Sequence, residues 1–252
     1  MNIAVILAGG TGRRAVACIP KQYVEVNDRP MIGFCLETIF SHQQIDAVQI
    51  VADQGWREYI QRHVLQTECN SGNQGKFRGF SQPGKNRQMS IYHALTDVRK
   101  YAKERDTVLI HDAARPFVKA AQISRCLMDM EGHDGVIPVL PMKDTVYMTD
   151  GENICRLLDR KLICAGQTPE LFLLGKYCEA NAALLPDRIL SVNGSTEPAV
   201  MAGMDIRLSE GDEENFKVTT ERDMELFKNM ASRFCLSESP SSVPELRLTN
   251  NI

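Results

Sequence analysis

The first residues whose types and spacing could do chemistry lie in the stretch AVILAGGTGRRAVACIPKQY, residues 4–23. Glycines follow an apolar run there, and three cations, Arg13, Arg14 and Lys21, come close behind them. A glycine loop after a strand presents backbone N–H groups to phosphate, and cations neutralise the charge of that phosphate. Because three cations suit a triphosphate better than a diphosphate bridge, the stretch predicts a site for a nucleoside triphosphate.

One reaction fits such a site without a general base. In it, a phosphomonoester attacks the α-phosphorus of the triphosphate, and its oxygen is already ionised near neutral pH, since the second phosphate pKa is about 6. The protein then has to hold two polyanions together and neutralise the leaving pyrophosphate. Arginines, a lysine and Mg²⁺ supply that charge. The alternative is that Arg13 and Arg14 are ordinary solvated charges.

A nicotinamide-dependent dehydrogenase is a further alternative, because Gly10-x-Gly12-x-x-Ala15 matches the dinucleotide fingerprint. That fingerprint requires a helix whose N-terminus faces the pyrophosphate, and Pro20 leaves little room for one. The next predicted strand ends near Asp53, far beyond the spacing of about 20 residues expected for a ribose-binding acid. No Gly-Lys-Ser/Thr follows the loop, so it is not a Walker A motif either.

Strand and helix patterns alternate along most of the chain. Apolar runs predict strands at 3–8, 47–52, 107–110, 135–140 and 206–208. Helical spacing predicts helices at 31–40, 56–65, 88–101, 121–130 and about 221–234. The alternation predicts an α/β fold with a Rossmann-like, mainly parallel sheet flanked by helices. Since ligands of such sheets bind beyond the carboxyl ends of the strands, the glycine loop and His111-Asp112 could share one site.

Three segments depart from this alternation. Residues 144–160 contain two β-prone runs around Asp150-Gly151, which predicts a projecting β-hairpin arm. A lone hairpin is marginally stable, so the arm is expected to pack on something, for which a second subunit is one candidate. Residues 68–87 are polar and contain glycine, which predicts a surface loop. One domain is predicted over residues 1–234, with a disordered Ser/Pro-rich tail at 235–252.

Composition excludes several classes of protein. With 29 basic and 32 acidic residues the net charge is −3, which argues against nucleic acid or an anionic membrane as a partner. The chain has neither an apolar run of membrane-spanning length nor the pattern of a signal peptide, so a cytoplasmic protein is expected. Eight cysteines without a C-x-x-C pair indicate free thiols in a reducing compartment.

Six blocks occur in an order typical of one family: AGGTGRR…PKQY, GKNRQMS, HDAARPFV, KDT, DR…QTPELF and NFKVTT. In these blocks, from Ile3 to about Phe227, the chain resembles the 2-C-methyl-D-erythritol 4-phosphate cytidylyltransferases of isoprenoid biosynthesis. That family shares its nucleotidyltransferase fold with ribitol-phosphate cytidylyltransferases. The resemblance implies CTP and a small polyol phosphate as substrates, Mg²⁺ as cofactor and a homodimer in which the arm of one subunit reaches the other's site.

The resemblance also implies roles for residues on the nucleotide side. Backbone groups of four residues would wrap the CTP phosphates: Ala8, Gly9, Gly10 and Gly12. Three cations would act in catalysis: Arg14, Lys21 and Lys217. Cytosine would be read at Gly84 and Ser90, whereas Asp112 and Ala113 would lie near the ribose, with Asp112 also near the metal. The alternative for Asp112 is a helix cap with Arg115 as its local partner.

On the acceptor side the resemblance assigns the phosphate to Thr145, Arg160, Thr168 and Lys217, with Thr145 and Arg160 acting in trans. The alternatives are turn residues for the threonines and solvated charges for Arg160 and Lys217. The family normally has Thr-Asp and then a short helix where this chain has Asn193-Gly194-Ser195-Thr196-Glu197. Asn193 could still donate a hydrogen bond to a phosphate.

Methylerythritol 4-phosphate is the first choice of acceptor, and ribitol 5-phosphate or another polyol phosphate is the second. The alternative function of another class is a non-catalytic nucleotide-binding protein.

Overall fold

A computed structural model describes residues 1–10, 19–66 and 75–237. Twelve strands are among these residues. Their bounds are β1 Asn2–Leu7, β2 Glu25–Val26, β3 Arg29–Pro30, β4 Ala47–Val51, β5 Phe77–Ser81, β6 Thr107–Asp112, β7 Gly135–Pro141, β8 Val146–Thr149, β9 Ile154–Leu158, β10 Cys164–Gly166, β11 Glu170–Leu173 and β12 Ile206–Glu210. The predicted tail beyond residue 237 lies outside the described residues.

The central sheet has the order β10-β7-β11-β6-β1-β4-β5, and β12 pairs with β7. β6, β1, β4 and β5 run parallel, so their carboxyl ends meet at one edge of the sheet. β11 runs antiparallel to both β6 and β7. Leu7 and Asp112, the last residues of β1 and β6, are register partners, which brings the glycine loop next to the carboxyl end of β6.

Helices cover both faces of this sheet. Their bounds are α1 Met31–Ser41, α2 Gln54–Ile60 (continued by a π-helical turn, Gln61–Leu65), α3 Arg87–Val98, α4 Ala120–Asp129, α5 Leu174–Ala182, α6 Glu197–Met201 and α7 Glu221–Ser237. Successive β1 side chains alternate between the faces: Ile6 packs with Leu36 of α1, and Val5 with Leu95 of α3. Two buried faces explain why β1 is apolar from Ile3 to Leu7.

The mainly parallel α/β sheet predicted from the sequence is therefore present, with two corrections. Residues 68–87 are not all loop, because Phe77–Ser81 form the parallel edge strand β5. The alternation of β5 side chains between the two faces of the sheet is interrupted at Gly79, which has a φ of 124° and lies beside a shift in the β4–β5 register. The two antiparallel strands β10 and β11 were not predicted, and β11 starts one residue after the Thr168-Pro169 bond.

The predicted arm is a two-stranded sheet of β8 and β9. Its turn has Gly151 at a φ of 108°, a backbone conformation that favours glycine. Large apolar side chains of the arm and the turn after it are exposed: Tyr147, Met148, Ile154, Leu157 and Leu162.

Candidate active site

The carboxyl ends of β1, β4 and β6 surround a cavity of about 310 Å³. It is lined by Leu7, Gly9, Gly10, Lys21, Gln22, Val51, Asn86, Arg87, Ser90, Asp112, Ala114 and Lys217. The fold thus brings six residues singled out in the sequence to one place: Gly9, Gly10, Lys21, Ser90, Asp112 and Lys217. Gly12 and Arg14 lie outside the described residues.

Asp112 is the centre of an ion cluster in this cavity. Arg87 donates to Asp112 Oδ1 through Nε at 3.1 Å and Nη2 at 2.9 Å. Lys217 Nζ lies 2.8 Å from the other carboxylate oxygen. Burial alone raises the pKa of Asp112, but the charges of Arg87 and Lys217 outweigh it and hold the pKa far below its ordinary value. Asp112 is therefore ionised, which suits it to organise cations and not to accept a proton.

Sequence reasoning missed Arg87, although it lies inside the GKNRQMS block. It is the first residue of α3, and Asn86 caps this helix by accepting from Met89 N at 2.7 Å. Arg87 also interacts electrostatically with Glu170, whose pKa burial raises and Arg87 lowers, with a net rise. Because Glu170 pairs with Ile110, its side chain and that of Asp112 project from the same face of the sheet.

Two glycines of the predicted nucleotide side lie where a Cβ would collide. A Cβ on Gly9 would be 2.6 Å from Pro83 Cγ, and one on Gly84 would be 2.3 Å from Met89 Cβ. Gly84 N donates to Ser90 Oγ at 2.9 Å. The start of the glycine loop and the loop before α3 are therefore in contact, and one nucleotide could touch both.

Lys21 opens a short 3₁₀ turn, Lys21–Tyr23, and its Nζ donates to the carbonyl of Val218. Ala8 and Ala113 are buried and contribute backbone contacts: Ala8 N donates to Val51 O at 2.9 Å, and Ala113 N to Leu7 O at 3.2 Å. These bonds fix the chain where β1 and β6 end.

His111 and Thr168 form a buried pair behind Asp112. His111 Nε2 lies 3.0 Å from Arg115 O, and Nδ1 lies 3.2 Å from Thr168 Oγ1. A carbonyl only accepts, so Nε2 carries the proton and Nδ1 accepts from the threonine. Burial lowers the pKa of His111 to about 4, which keeps the ring neutral. Thr168 Oγ1 also accepts from Asp112 N at 3.1 Å, so its hydroxyl is engaged on both sides.

Four of the five residues predicted for the acceptor side do not line this cavity within one chain: Thr145, Arg160, Asn193 and the buried Thr168. Thr145 and Arg160 are exposed on the arm and the turn after it, and Arg160 Nη1 donates to Lys143 O at 2.6 Å. Asn193 is exposed in the turn before the short helix α6. The Glu197 carboxylate accepts from Asn193 N at 2.9 Å, so the acidic residue of this segment caps its own turn.

A metal would find one protein carboxylate in the cavity. Asp112 is the only acidic residue among the described lining residues, and no cluster of three His, Cys, Asp or Glu side chains occurs in the described part of the chain. Mg²⁺ bound chiefly by substrate phosphates needs only one or two carboxylates, so this donor set fits. In residues 1–10, 19–66 and 75–237 no helix is long and apolar enough to cross a membrane.

Comparison with known proteins shows similarity along nearly the whole chain. The profile of the family described as 2-C-methyl-D-erythritol 4-phosphate cytidylyltransferase matches residues 2–232. The 2-C-methyl-D-erythritol 4-phosphate cytidylyltransferase of Clostridium beijerinckii is 31% identical, over 89% of this chain and 95% of the relative. The ribitol-5-phosphate cytidylyltransferase of Vibrio parahaemolyticus is 28% identical, over 90% of this chain and 94% of the relative.

Solved structures show the same fold. The 4-diphosphocytidyl-2C-methyl-D-erythritol synthase of Anaerococcus prevotii superposes with a TM-score of 0.75 at 21% identity, over 92% of this chain and 96% of the other. The 2-C-methyl-D-erythritol 4-phosphate cytidylyltransferase of Thermus thermophilus gives 0.69 at 24% identity, over 92% and 100%.

Proposed function

The chain belongs to the 2-C-methyl-D-erythritol 4-phosphate cytidylyltransferase family and is a cytidylyltransferase, and we propose that it joins CMP from CTP to 2-C-methyl-D-erythritol 4-phosphate with release of pyrophosphate. The observation that carries the proposal is the cavity in which the glycine loop, Lys21 and the Asp112 ion cluster meet. The alternative of a non-catalytic binder is set aside, since the family and the relatives named above are transferases.

The acceptor phosphate is the nucleophile, and the site needs no base to activate it. The second pKa of a phosphomonoester is about 6, so its oxygen is ionised at neutral pH. Asp112 is paired with two cations, and the neutral His111 is buried with both nitrogens engaged, so neither is suited to take a proton. Catalysis then consists of alignment and charge stabilisation.

Cations at the cavity supply the charge stabilisation. Lys21, on the glycine-loop side, neutralises charge that develops on the leaving pyrophosphate. Lys217, whose Nζ lies 2.8 Å from Asp112 Oδ2, holds the acceptor phosphate near the α-phosphorus. When bound, Mg²⁺ would neutralise part of the triphosphate charge, with Asp112 as its protein ligand. Arg87 fixes the orientation of the Asp112 carboxylate.

The exposed apolar arm supports a homodimer. Ile154 and Leu162 are 66% and 82% exposed, and burying such side chains in a partner would stabilise a hairpin that is marginal alone. A partner's arm would also bring Thr145 and Arg160 to a cavity that neither residue lines within its own chain.

Sequence similarity does not distinguish between the two candidate acceptors. Relatives named for methylerythritol phosphate and for ribitol phosphate have 31% and 28% identity. The Asn193–Glu197 segment differs from the family pattern on the acceptor side. Ribitol 5-phosphate is therefore the alternative acceptor.

The test is pyrophosphate release from CTP and Mg²⁺ with a panel of phosphorylated acceptors. The panel contains the phosphates of methylerythritol, ribitol, arabinitol, mannitol and glycerol, with ATP, GTP and UTP as nucleotide controls. Preference for methylerythritol 4-phosphate supports the proposal. Preference for ribitol 5-phosphate replaces the acceptor, and no release with any acceptor contradicts transfer to a polyol phosphate.

Lys21→Ala tests the mechanism. The variant should lose about 100-fold in kcat with a much smaller change in CTP affinity, because the lysine acts on charge that appears only in the transition state. Lys176→Ala is the matched control, since Lys176 is exposed and pairs with Asp134 on the surface. Equal effects of the two substitutions on kcat would contradict the assignment.

A further inference from the structure

We propose that Gln22 is a positioning residue that braces the glycine loop and holds Lys21 in place. Gln22 is 4% exposed although its side chain is polar, and it lines the cavity. Its Nε2 donates to two carbonyls, Ala8 O at 2.8 Å and Gly10 O at 2.7 Å. Because both partners are carbonyls, only the NH₂ end of the amide can make this pair of bonds. Both donors are used on the main chain of the loop.

The two bonds tie the ends of the loop to each other. Gln22 follows the loop in the chain and returns to Ala8 and Gly10, 14 and 12 residues earlier. Tyr23 adds a third bond, from its hydroxyl to Ala8 O at 3.0 Å, and its ring stacks on Trp56 at 4.3 Å. The brace therefore rests on a stacked aromatic pair and joins the start of the glycine loop, Ala8–Gly10, to the 3₁₀ turn.

Fixing these carbonyls also fixes N–H groups. In a trans peptide the C=O and the following N–H point in opposite directions, so holding the carbonyl of Ala8 sets the direction of Gly9 N–H. A triphosphate that meets N–H groups already oriented does not have to order them on binding. Gln22 thus lowers the cost of binding phosphate without touching it.

The same brace governs Lys21. Lys21 and Gln22 are consecutive residues of one 3₁₀ turn, so a bond from residue 22 to the loop restrains the backbone of residue 21 as well. Lys21 Nζ is held at the opposite end by Val218 O. The lysine is fixed between two anchors, and loss of the Gln22 anchor should weaken its catalytic effect.

The first experiment requires no ligand. Gln22→Met keeps the length of the side chain and removes both donors, and Gln49→Met is the matched control at another buried glutamine, which donates to Ser81 Oγ at 2.9 Å away from the cavity lining. We expect the backbone N–H order parameters of Gly9 and Gly10, measured by ¹⁵N relaxation in native buffer, to be lower in Gln22→Met than in the wild type or in Gln49→Met. Equal order parameters in the three proteins would overturn the brace.

The second experiment measures what the brace does for the nucleotide and rests on the proposed function. Calorimetry with CTP, CMP and cytidine should show a loss of about tenfold in the affinity for CTP in Gln22→Met, because the N–H groups of the loop would then have to be ordered on binding, and less than twofold for cytidine. Equal losses for the three ligands would refute a role in holding phosphate. Absence of CTP binding to the wild type would contradict the proposed function, while the order parameters of Gly9 and Gly10 would still decide the brace.

A double-mutant cycle with Lys21→Ala separates positioning from general destabilisation. If Gln22 acts through Lys21, the effects of the two substitutions on kcat should be clearly less than multiplicative. Multiplicative effects would show that Gln22 does not position the lysine.

Discussion

The neutral, buried His111 makes the stability of this enzyme sensitive to mild acid. Burial lowers the pKa of the folded-state histidine to about 4, against about 6.5 in an unfolded chain. Between these values the unfolded state binds more protons, so the free energy of unfolding falls as pH falls. The full effect is about 3 kcal/mol at or below pH 4, of which about 2 kcal/mol is already lost at pH 5.

His111→Gln removes this titration and keeps a side-chain amide that can donate to Arg115 O. Urea unfolding gives the decrease in the free energy of unfolding between pH 8 and pH 5 for each protein. Subtracting the decrease in the variant from that in the wild type cancels the contributions of the other titratable groups. The wild type should lose about 2 kcal/mol more than the variant over this interval. A variant that loses as much as the wild type would refute the argument, as would NMR detection of a His111 titration above pH 5.5 in the native protein.

Three further substitutions or deletions test the site. Gly9→Ala places a methyl group against Pro83, so it should destabilise the protein by about 1–3 kcal/mol and weaken CTP binding; unchanged urea midpoint and CTP affinity would contradict the contact. Asp112→Asn leaves Arg87 and Lys217 without their carboxylate and should lower the free energy of unfolding by about 3 kcal/mol, measured by urea titration; a variant as stable as the wild type would show that the cluster contributes nothing to folding. Deletion of residues 147–155 should give a monomer by sedimentation that binds CTP but has lost acceptor turnover, and an active monomer would refute the role of the arm in trans.

Much of the fold follows from local pattern, and the exceptions have identifiable causes. β1 and, except for the buried Gln49, β4 have apolar residues on both faces, and α1 has its apolar residues at helical spacing, so each could be predicted from a short window. β5 was missed because it is an edge strand with a glycine irregularity, half-exposed and without alternation. β11 was missed because its four residues form a strand only through pairing with β6, some 60 residues away in the chain.

The candidate site divides in the same way. The glycine loop and Lys21 are contiguous, so their type and spacing carried the prediction. Arg87 is 25 residues from Asp112, and their ion pair exists only because α3 starts at the edge where β6 ends. Gln22 was not predicted for another reason: the sequence does not show where the amide of a glutamine points, and here its partners Ala8 and Gly10 lie 14 and 12 residues earlier in the chain.

The ion cluster also has a consequence for the rate at which nucleotide arrives. Among the described lining residues, Lys21, Arg87 and Lys217 carry three positive charges against the one negative charge of Asp112, which leaves two in a chain whose net charge is −3. The net charge of the chain therefore repels a polyanion at long range, whereas the described cations of the cavity attract it within a Debye length of about 8 Å at physiological salt. Raising the ionic strength weakens both the long-range repulsion and the short-range attraction, and these two changes have opposite effects on the association rate. Dissociation depends mainly on the attraction, so the dissociation rate constant should rise by a larger factor than the association rate constant falls. Stopped-flow measurement of both rate constants across a salt series tests this. A larger salt effect on dissociation than on association would show that the cavity charges hold bound nucleotide and do not steer free nucleotide from a distance.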